Sequence, residues 1–378
     1  MAESAETTIV LRINQLRQAL SHVLPVAKEA YKGYGMGCFS WIEGKLWLIS
    51  GSFQSRVAGG VVHMGERVEG IENIFFDLYS LNLLLKTPFV LDSIKVTVDS
   101  AVDTRKIRFQ VGRSYKELPV TNRDDGYAEY LDLPAYGSGI DASDFLEWGG
   151  VANFAHPNDS HSLHSVHIVV QAGWGHILAT SGFSSGYVWF EVNDKLLDFR
   201  YTIPSEFFLL GNSIQWDGIP YLSASGSRCV LRSEEKFIFG ATVNYEYPAE
   251  QVINGSSNYG NYPAAQVPVT ELIAALNVFA DVHRAKDVLS VEVWEEDESS
   301  GMIFSAGEEG VNGQMHVPIS SGTFGRDKLR INGAAVKAAA NLLKTTRTMF
   351  VFIQQHNDGF LVIRPENGAV FVLGTMSH

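Results

Sequence analysis

The stretch GFSSG, Gly182–Gly186, matches the G-x-S-x-G pattern of hydrolases, with Ser184 at the nucleophile position. That pattern works at a strand-to-helix turn, which exposes the serine at a helix start. Here YVWFEV follows, with the aromatic and β-branched content of another strand. Such a short pattern also arises easily in a chain with 35 glycines. His156, His161, His164 and His167 gather near Asp159 and could offer imidazoles to a metal. Their spacings of 5, 3 and 3 lack the H-E-x-x-H logic of two ligands and a base on one helix face. The segment reads as a polar loop that enters a strand at His167. EEDES, Glu295–Ser299, could bind a cation but reads as a solvated hairpin tip. Neither a G-x-x-x-x-G-K-[ST] nor a G-x-G-x-x-G run occurs. The expectation is a protein with no catalytic residue, no metal and no cofactor.

Composition bounds the classes further. The 378 residues hold 29 Lys+Arg against 42 Asp+Glu, a net charge of −13. A generic polyanion binder is disfavoured, because such binding rests on phosphate neutralisation by Lys and Arg. A protein that holds DNA by topology, with a local basic lining, remains compatible. Hydrophobic residues make up 46% of the chain, enough for a sizeable core. Two cysteines, Cys38 and Cys229, cannot make a disulfide framework or a Cys-based zinc site. No apolar run reaches the ~18 residues of a membrane span. MAESAETTIVL lacks the basic and apolar regions of a secretory signal. The expected setting is reducing and cytoplasmic, away from membranes.

The elements that would carry any function repeat three times. Amphipathic helices start near Ile13, Ala142 and Thr270, 129 and 128 residues apart. The middle one, Asp141–Phe154, is weakened by Gly149 and Gly150. After each comes a strand hairpin with a glycine at one place, Gly51, Gly182 and Gly307. Second helices start near Asp77, Pro204 and Asn332, and each leads into three more strands. Two stretches, Asp132–Ile140 and Asn254–Pro268, read as short extended connectors. The fold class is α+β, with helices covering one face of antiparallel sheets, in three units: 1–135, 136–262 and 263–378.

Order and spacing over the whole chain resemble the bacterial DNA polymerase III beta subunit, the sliding clamp. Three segments carry the likeness: ILATSGFS (Ile177–Ser184), EKFIFGATVNYEYP (Glu235–Pro248) and GAVFVLGTMSH (Gly368–His378). The first is similar to a family turn that usually reads ATDGHR; here its Asp, His and Arg positions have become Ser181, Phe183 and Ser184. The resemblance implies three clamp domains per chain and a head-to-tail homodimeric ring around double-stranded DNA. It implies a non-enzymatic processivity factor whose pocket binds peptides of DNA polymerase and the clamp loader. By matching positions the pocket would be lined by Thr180, Gly182, Phe183, Ser184, Phe371, Val372 and Leu373. An alternative is a divergent clamp-fold paralogue, of plasmid or phage type, that serves a dedicated partner or acts as a scaffold.

In that fold the helices line the hole. The outer units would offer Arg17, Lys28, Lys32 and Lys86, and Arg284, Lys286, Lys337, Lys344 and Arg347 to DNA. The three units have net charges of −1, −8 and −4. The middle helices bring only Asp141, Asp144, Glu147 and Glu206. Screening over ~8 Å at physiological salt keeps each charge local, so DNA contact is expected in the outer units.

Overall fold

A computed structural model describes residues 6–30, 35–52, 56–72, 74–99, 106–120, 133–135, 137–158, 163–192, 198–257, 264–280, 288–296, 299–306, 313–324, 329–356, 360–366 and 368–374. One order of elements recurs three times: strand, helix, three strands, strand, helix, three strands. The first pass is β1 (Glu6–Arg12), α1 (Ile13–Ala30), β2 (Met36–Ile42), β3 (Lys45–Ser52), β4 (Arg56–Met64), β5 (Phe75–Asp77), α2 (Leu78–Leu85), β6 (Ser93–Asp99), β7 (Lys106–Val111) and β8 (Ser114–Pro119). The second is β9 (Ile140–Asp141), α3 (Ser143–Glu147) with a 3-10 turn (Gly149–Phe154), β10 (Ser165–Gln171), β11 (Trp174–Thr180), β12 (Ser185–Glu191), β13 (Phe199–Pro204), α4 (Ser205–Ser213), β14 (Tyr221–Ser225), β15 (Arg228–Arg232) and β16 (Lys236–Ala241). Helix α5 (Ala249–Ser257) comes next. The third pass is β17 (Ala264–Pro268), α6 (Val269–Ala280), β18 (Val288–Glu296), β19 (Ser299–Ala306), β20 (Gly313–Pro318), the short β21 (Ser321–Gly322), β22 (Leu329–Asn332), α7 (Gly333–Leu343), β23 (Phe350–His356), β24 (Phe360–Pro365) and β25 (Ala369–Gly374).

Among the described residues the strands form four antiparallel sheets, so the α+β expectation holds. Two are large, in the orders β5-β2-β3-β4-β16-β15-β14-β9 and β13-β10-β11-β12-β25-β24-β23-β17-β21. Two are small, β1-β6-β7-β8 and β20-β19-β18-β22. Residues 1–143 and 214–241 make one compact unit, and 144–213 and 242–378 a second.

In the first unit α1 buries Ile13, Leu16, Ala19, Leu20, Val23, Val26 and Ala27, the face its spacing predicts. It approaches β4 very closely. A Cβ on Gly60 would lie 2.8 Å from Ala19 Cα, and one on Gly59 would enter the Phe237 ring on β16. Helix α2 starts as its sequence predicts, with the Asp77 carboxylate accepting from the amides of Tyr79 and Ser80. The connector around 134–140 is pinned: the buried Arg232 donates to Pro134 O and pairs with Glu43.

In the second unit the expected Asp141–Phe154 helix breaks in two at Trp148. Glycine is a poor helix former, and close packing leaves no room for a better one at either position. A Cβ on Gly149 would lie 2.6 Å from the Asn212 side chain on α4, and one on Gly150 2.9 Å from Leu342 on α7. The stretch expected as an extended connector from Asn254 begins instead inside α5. Gly51 lies within β3, Gly182 sits in a turn at φ +91°, and Gly307 lies outside the described residues. Among the described residues no helix is long and apolar enough to cross a membrane.

Candidate functional site

The turn between β11 and β12 is tied by its own short side chains. Thr180 Oγ1 donates to Ser184 O at 2.9 Å and accepts from the Gly182 amide at 3.0 Å. Ser181 Oγ accepts from the Ser184 amide at 3.2 Å. Ser184 Oγ accepts from the Gly374 amide at 3.2 Å, which links the turn to the end of β25. The turn runs from strand to strand, and Ser184 is buried within it. That geometry is not a nucleophile elbow.

Alternation on the nine-stranded sheet then sorts the residues expected to act together. Phe371 and Leu373 are fully buried and face the helices, where Phe371 stacks on Phe154 at 5.9 Å. Val370 and Val372 face the other way, paired with Tyr187 and Ser185 on β12. Phe183 is 78% exposed at the turn tip. Thr180 and Ser184 are buried and spent on the turn. The structure thus leaves Phe183 exposed at the turn tip, buries Val372 on one side of the sheet and takes Phe371 and Leu373 to the opposite side.

Other residues complete the side that holds Val372. Leu178, Tyr187 and Tyr247 form a buried cluster against Leu163, Trp189, Ala249, Val252 and Ile253. A neighbouring cluster of Val362, Val370 and Val372 packs against Trp189 and Phe360. Trp189 belongs to both, so one apolar strip, buried except at partly exposed residues such as Trp189 and Phe360, runs from α5 to β24. The sequence held a usable signal for α5: Pro248 followed by AEQVI is a helix start with an apolar face. Beneath the strip lie two His–Tyr pairs. His167 stacks on Tyr247 at 5.1 Å, and His176 Nδ1 bonds the Tyr187 hydroxyl at 3.0 Å. Burial lowers His167 to about 4, with Arg200 adding to the effect, and lowers His176 as well. Burial raises both tyrosines. All four groups are neutral near pH 7, so the floor of the strip is apolar.

The histidine segment is structural where it is described. His164 bonds His156 O through Nδ1 at 2.5 Å and Glu206 through Nε2, fixing the start of α4. His167 bonds Thr202 Oγ1 at 2.9 Å. Asp159, His161, Asp297 and Glu298 lie outside the described residues.

The cations expected to face DNA divide into three groups. Lys32, Arg284, Lys286 and the Lys28 side chain lie outside the described residues. Lys86, Lys337 and Lys344 are exposed at or beside helices. Arg17 and Arg347 are engaged. Arg17 donates to Leu85 O at 2.9 and 2.7 Å and to Thr87 O at 3.1 Å, so it caps the end of α2. Arg347 pairs with Glu147 at 2.8 Å. The acids of the middle helices are largely engaged too: Asp141 accepts from the Ser143 amide, and Glu206 pairs with His164.

No family model and no curated protein matches this chain. Solved structures match it along its whole length. A DNA polymerase sliding clamp from Bacillus subtilis is 12% identical at a TM-score of 0.79, over 99% of this chain and 100% of that one. A DNA polymerase III beta subunit from Thermotoga maritima is 13% identical at 0.73, over 99% and 100%. The beta subunit from Pseudomonas aeruginosa is 14% identical at 0.73, over 99% and 100%. The fold is that of the DNA polymerase sliding clamps, and the resemblance read from the sequence extends along the whole chain.

Proposed function

We propose that this protein is a sliding-clamp-like replication processivity factor. Two copies join head to tail, encircle duplex DNA and tether a polymerase or related factor through the apolar strip around Phe183, Trp189 and Val372. It acts in the cytoplasm without chemistry of its own, and domains spanning 1–135, 136–262 and 263–378 are its repeating units. The single observation that carries this is a pairing rule. β4, the last of its hairpin strands, pairs with β16, the last strand of the second pass. β12 likewise pairs with β25, the last strand of the third pass. The same rule applied to β20 calls for β8, but each is the edge of a separate four-stranded sheet. A partner's β8 on β20, and the reverse, makes two further eight-stranded sheets and joins six repeats. Open edges of this kind are ready templates for pairing with another chain.

Lys86, Lys337 and Lys344 support DNA contact by the outer repeats. Closure supplies retention, so weak phosphate contacts suffice. Multi-angle light scattering tests the assembly: a dimer at micromolar concentration is expected, and a strict monomer sinks the proposal. Retention on nicked circular plasmid after loading, with loss from linear plasmid, is the expected DNA behaviour. Equal retention on both overturns encirclement.

Phe183 and Ser184, at positions where the resembled turn carries His and Arg, favour a second reading: a divergent clamp-fold protein with a dedicated partner. An ordinary bacterial clamp-binding peptide separates the two. Binding that Phe183→Ala weakens supports the general factor, and no binding supports the dedicated one.

A further inference from the structure

Arg364 stands at one end of the apolar strip. Its neighbour Ile363 pairs with Phe371 beneath the helices, so alternation puts Arg364 on the opposite face with Val362, Val370 and Val372. Phe352, 37% exposed, is its cross-strand partner on β23. Arg364 is half-buried and makes no ion pair among the described residues. Glu366, two residues on, is exposed and does not pair with it. Glu191 shares the Trp189 face of β12 and does not pair with Arg364 among the described residues, and Glu250 belongs to α5 at the other end of the strip.

A half-buried guanidinium beside Phe352, Val370 and Val362 constrains whatever covers the strip. A purely apolar occupant would strip water from the cation and return nothing, a costly outcome for a charge. A carboxylate returns two charge-assisted hydrogen bonds in the fork geometry that Arg presents. Resting on the reading of this strip as a peptide site, we propose that Arg364 is its specificity-determining residue. It receives the carboxylate of a short peptide whose apolar side chains lie on Trp189, Phe360 and Phe352. A neutral apolar peptide is rejected by desolvation rather than by shape.

Fluorescence anisotropy with two labelled, N-acetylated and C-amidated hexapeptide pools tests this. Both contain Leu, Phe and Ser in scrambled order, one with a single Asp and the other with Asn in its place. The native protein should bind the Asp pool about tenfold or more tighter. Arg364→Gln should bring the ratio to about one, and Arg364→Lys should keep part of it. Phe183→Ala should weaken both pools alike. Equal binding of Asp and Asn pools, or an unchanged ratio in Arg364→Gln, overturns the role of Arg364 while leaving the peptide site standing. Failure of both pools to bind the native protein overturns both. Thermal melts of Arg364→Gln within a few degrees of native establish that the fold is intact.

Discussion

Arg347 and Glu147 hold each other across the helix layer of the second unit, Nη2 to Oε1 at 2.8 Å, although 200 residues separate them in sequence. Arg347 sits just past α7 in the left-handed region at φ +52°. Both side chains are exposed, 82% and 40%, so the pair contributes little to stability. Its consequence is electrostatic: a cation expected to meet DNA is already neutralised by an acid from the middle repeat.

Glu147→Gln should therefore leave stability within about 0.5 kcal/mol of native. It should also free Arg347 for phosphate. Affinity for a short duplex, measured across a salt series, should rise, and the slope of log affinity against log salt should steepen by about one. An unchanged slope would mean that Arg347 does not reach phosphate.

Phe371 and Phe183 should part company in experiment. Phe371→Ala removes a fully buried ring stacked on Phe154 and should cost about 3–5 kcal/mol in urea unfolding. Phe183→Ala, at an exposed tip, should leave stability nearly unchanged and weaken peptide binding. A stable Phe371→Ala variant that fails only in binding would contradict the placement of that ring beneath the helices.

Gly60 is where α1 meets β4. Gly60→Ala sets a methyl 2.8 Å from Ala19 Cα and 2.9 Å from its Cβ, which should cost about 1–3 kcal/mol by overpacking. Adding Ala19→Gly should recover only part, since a glycine within the helix itself costs about 1 kcal/mol. A double-mutant cycle in urea measures the coupling, and strictly additive losses would refute the close approach.

His22 gives the first unit a pH dependence. Burial lowers it to about 4, against a backbone bond from Nε2 to Phe237 O at 2.9 Å. The unfolded chain binds this proton near pH 6.5 and the folded one only near 4. Stability is thus full above about pH 6.5, falls as pH drops toward 4, and levels off below. The loss is about 3 kcal/mol for this group. Melting temperature across that window should fall for the native protein and fall less for His22→Gln. Identical profiles would exclude His22 as the cause.

Much of the architecture could be read from residue order. Hairpins such as Met36–Ile42 with Lys45–Ser52 are dense in aromatic and aliphatic residues, and α1 repeats its apolar residues at helical spacing. These are local signals. The break in the middle helix was only half legible. Gly149 and Gly150 warned of it, but only the packing shows that Asn212 and Leu342 occupy the space a Cβ would need, so that no better helix former fits there. Helix α5 hid behind the Asn, Gly and Ser of its second half, because Tyr187, Tyr247 and Leu178 stabilise it from outside.

The candidate site divides along the same line. The turn residues Thr180 to Ser184 and the strand Ala369–Gly374 were identifiable as segments, because their types and order are properties of short runs. Which side of β25 lies under the helices and which packs against Trp189 was not. In a strand, one residue of register turns every side chain to the other face. That register is set by bonds such as Gly374 to Ser184, 190 residues apart. Composition could place the net negative charge in the middle third. It could not say that Glu147 and Glu206 are engaged by Arg347 and His164, because those contacts exist only once helices from distant parts of the chain pack together.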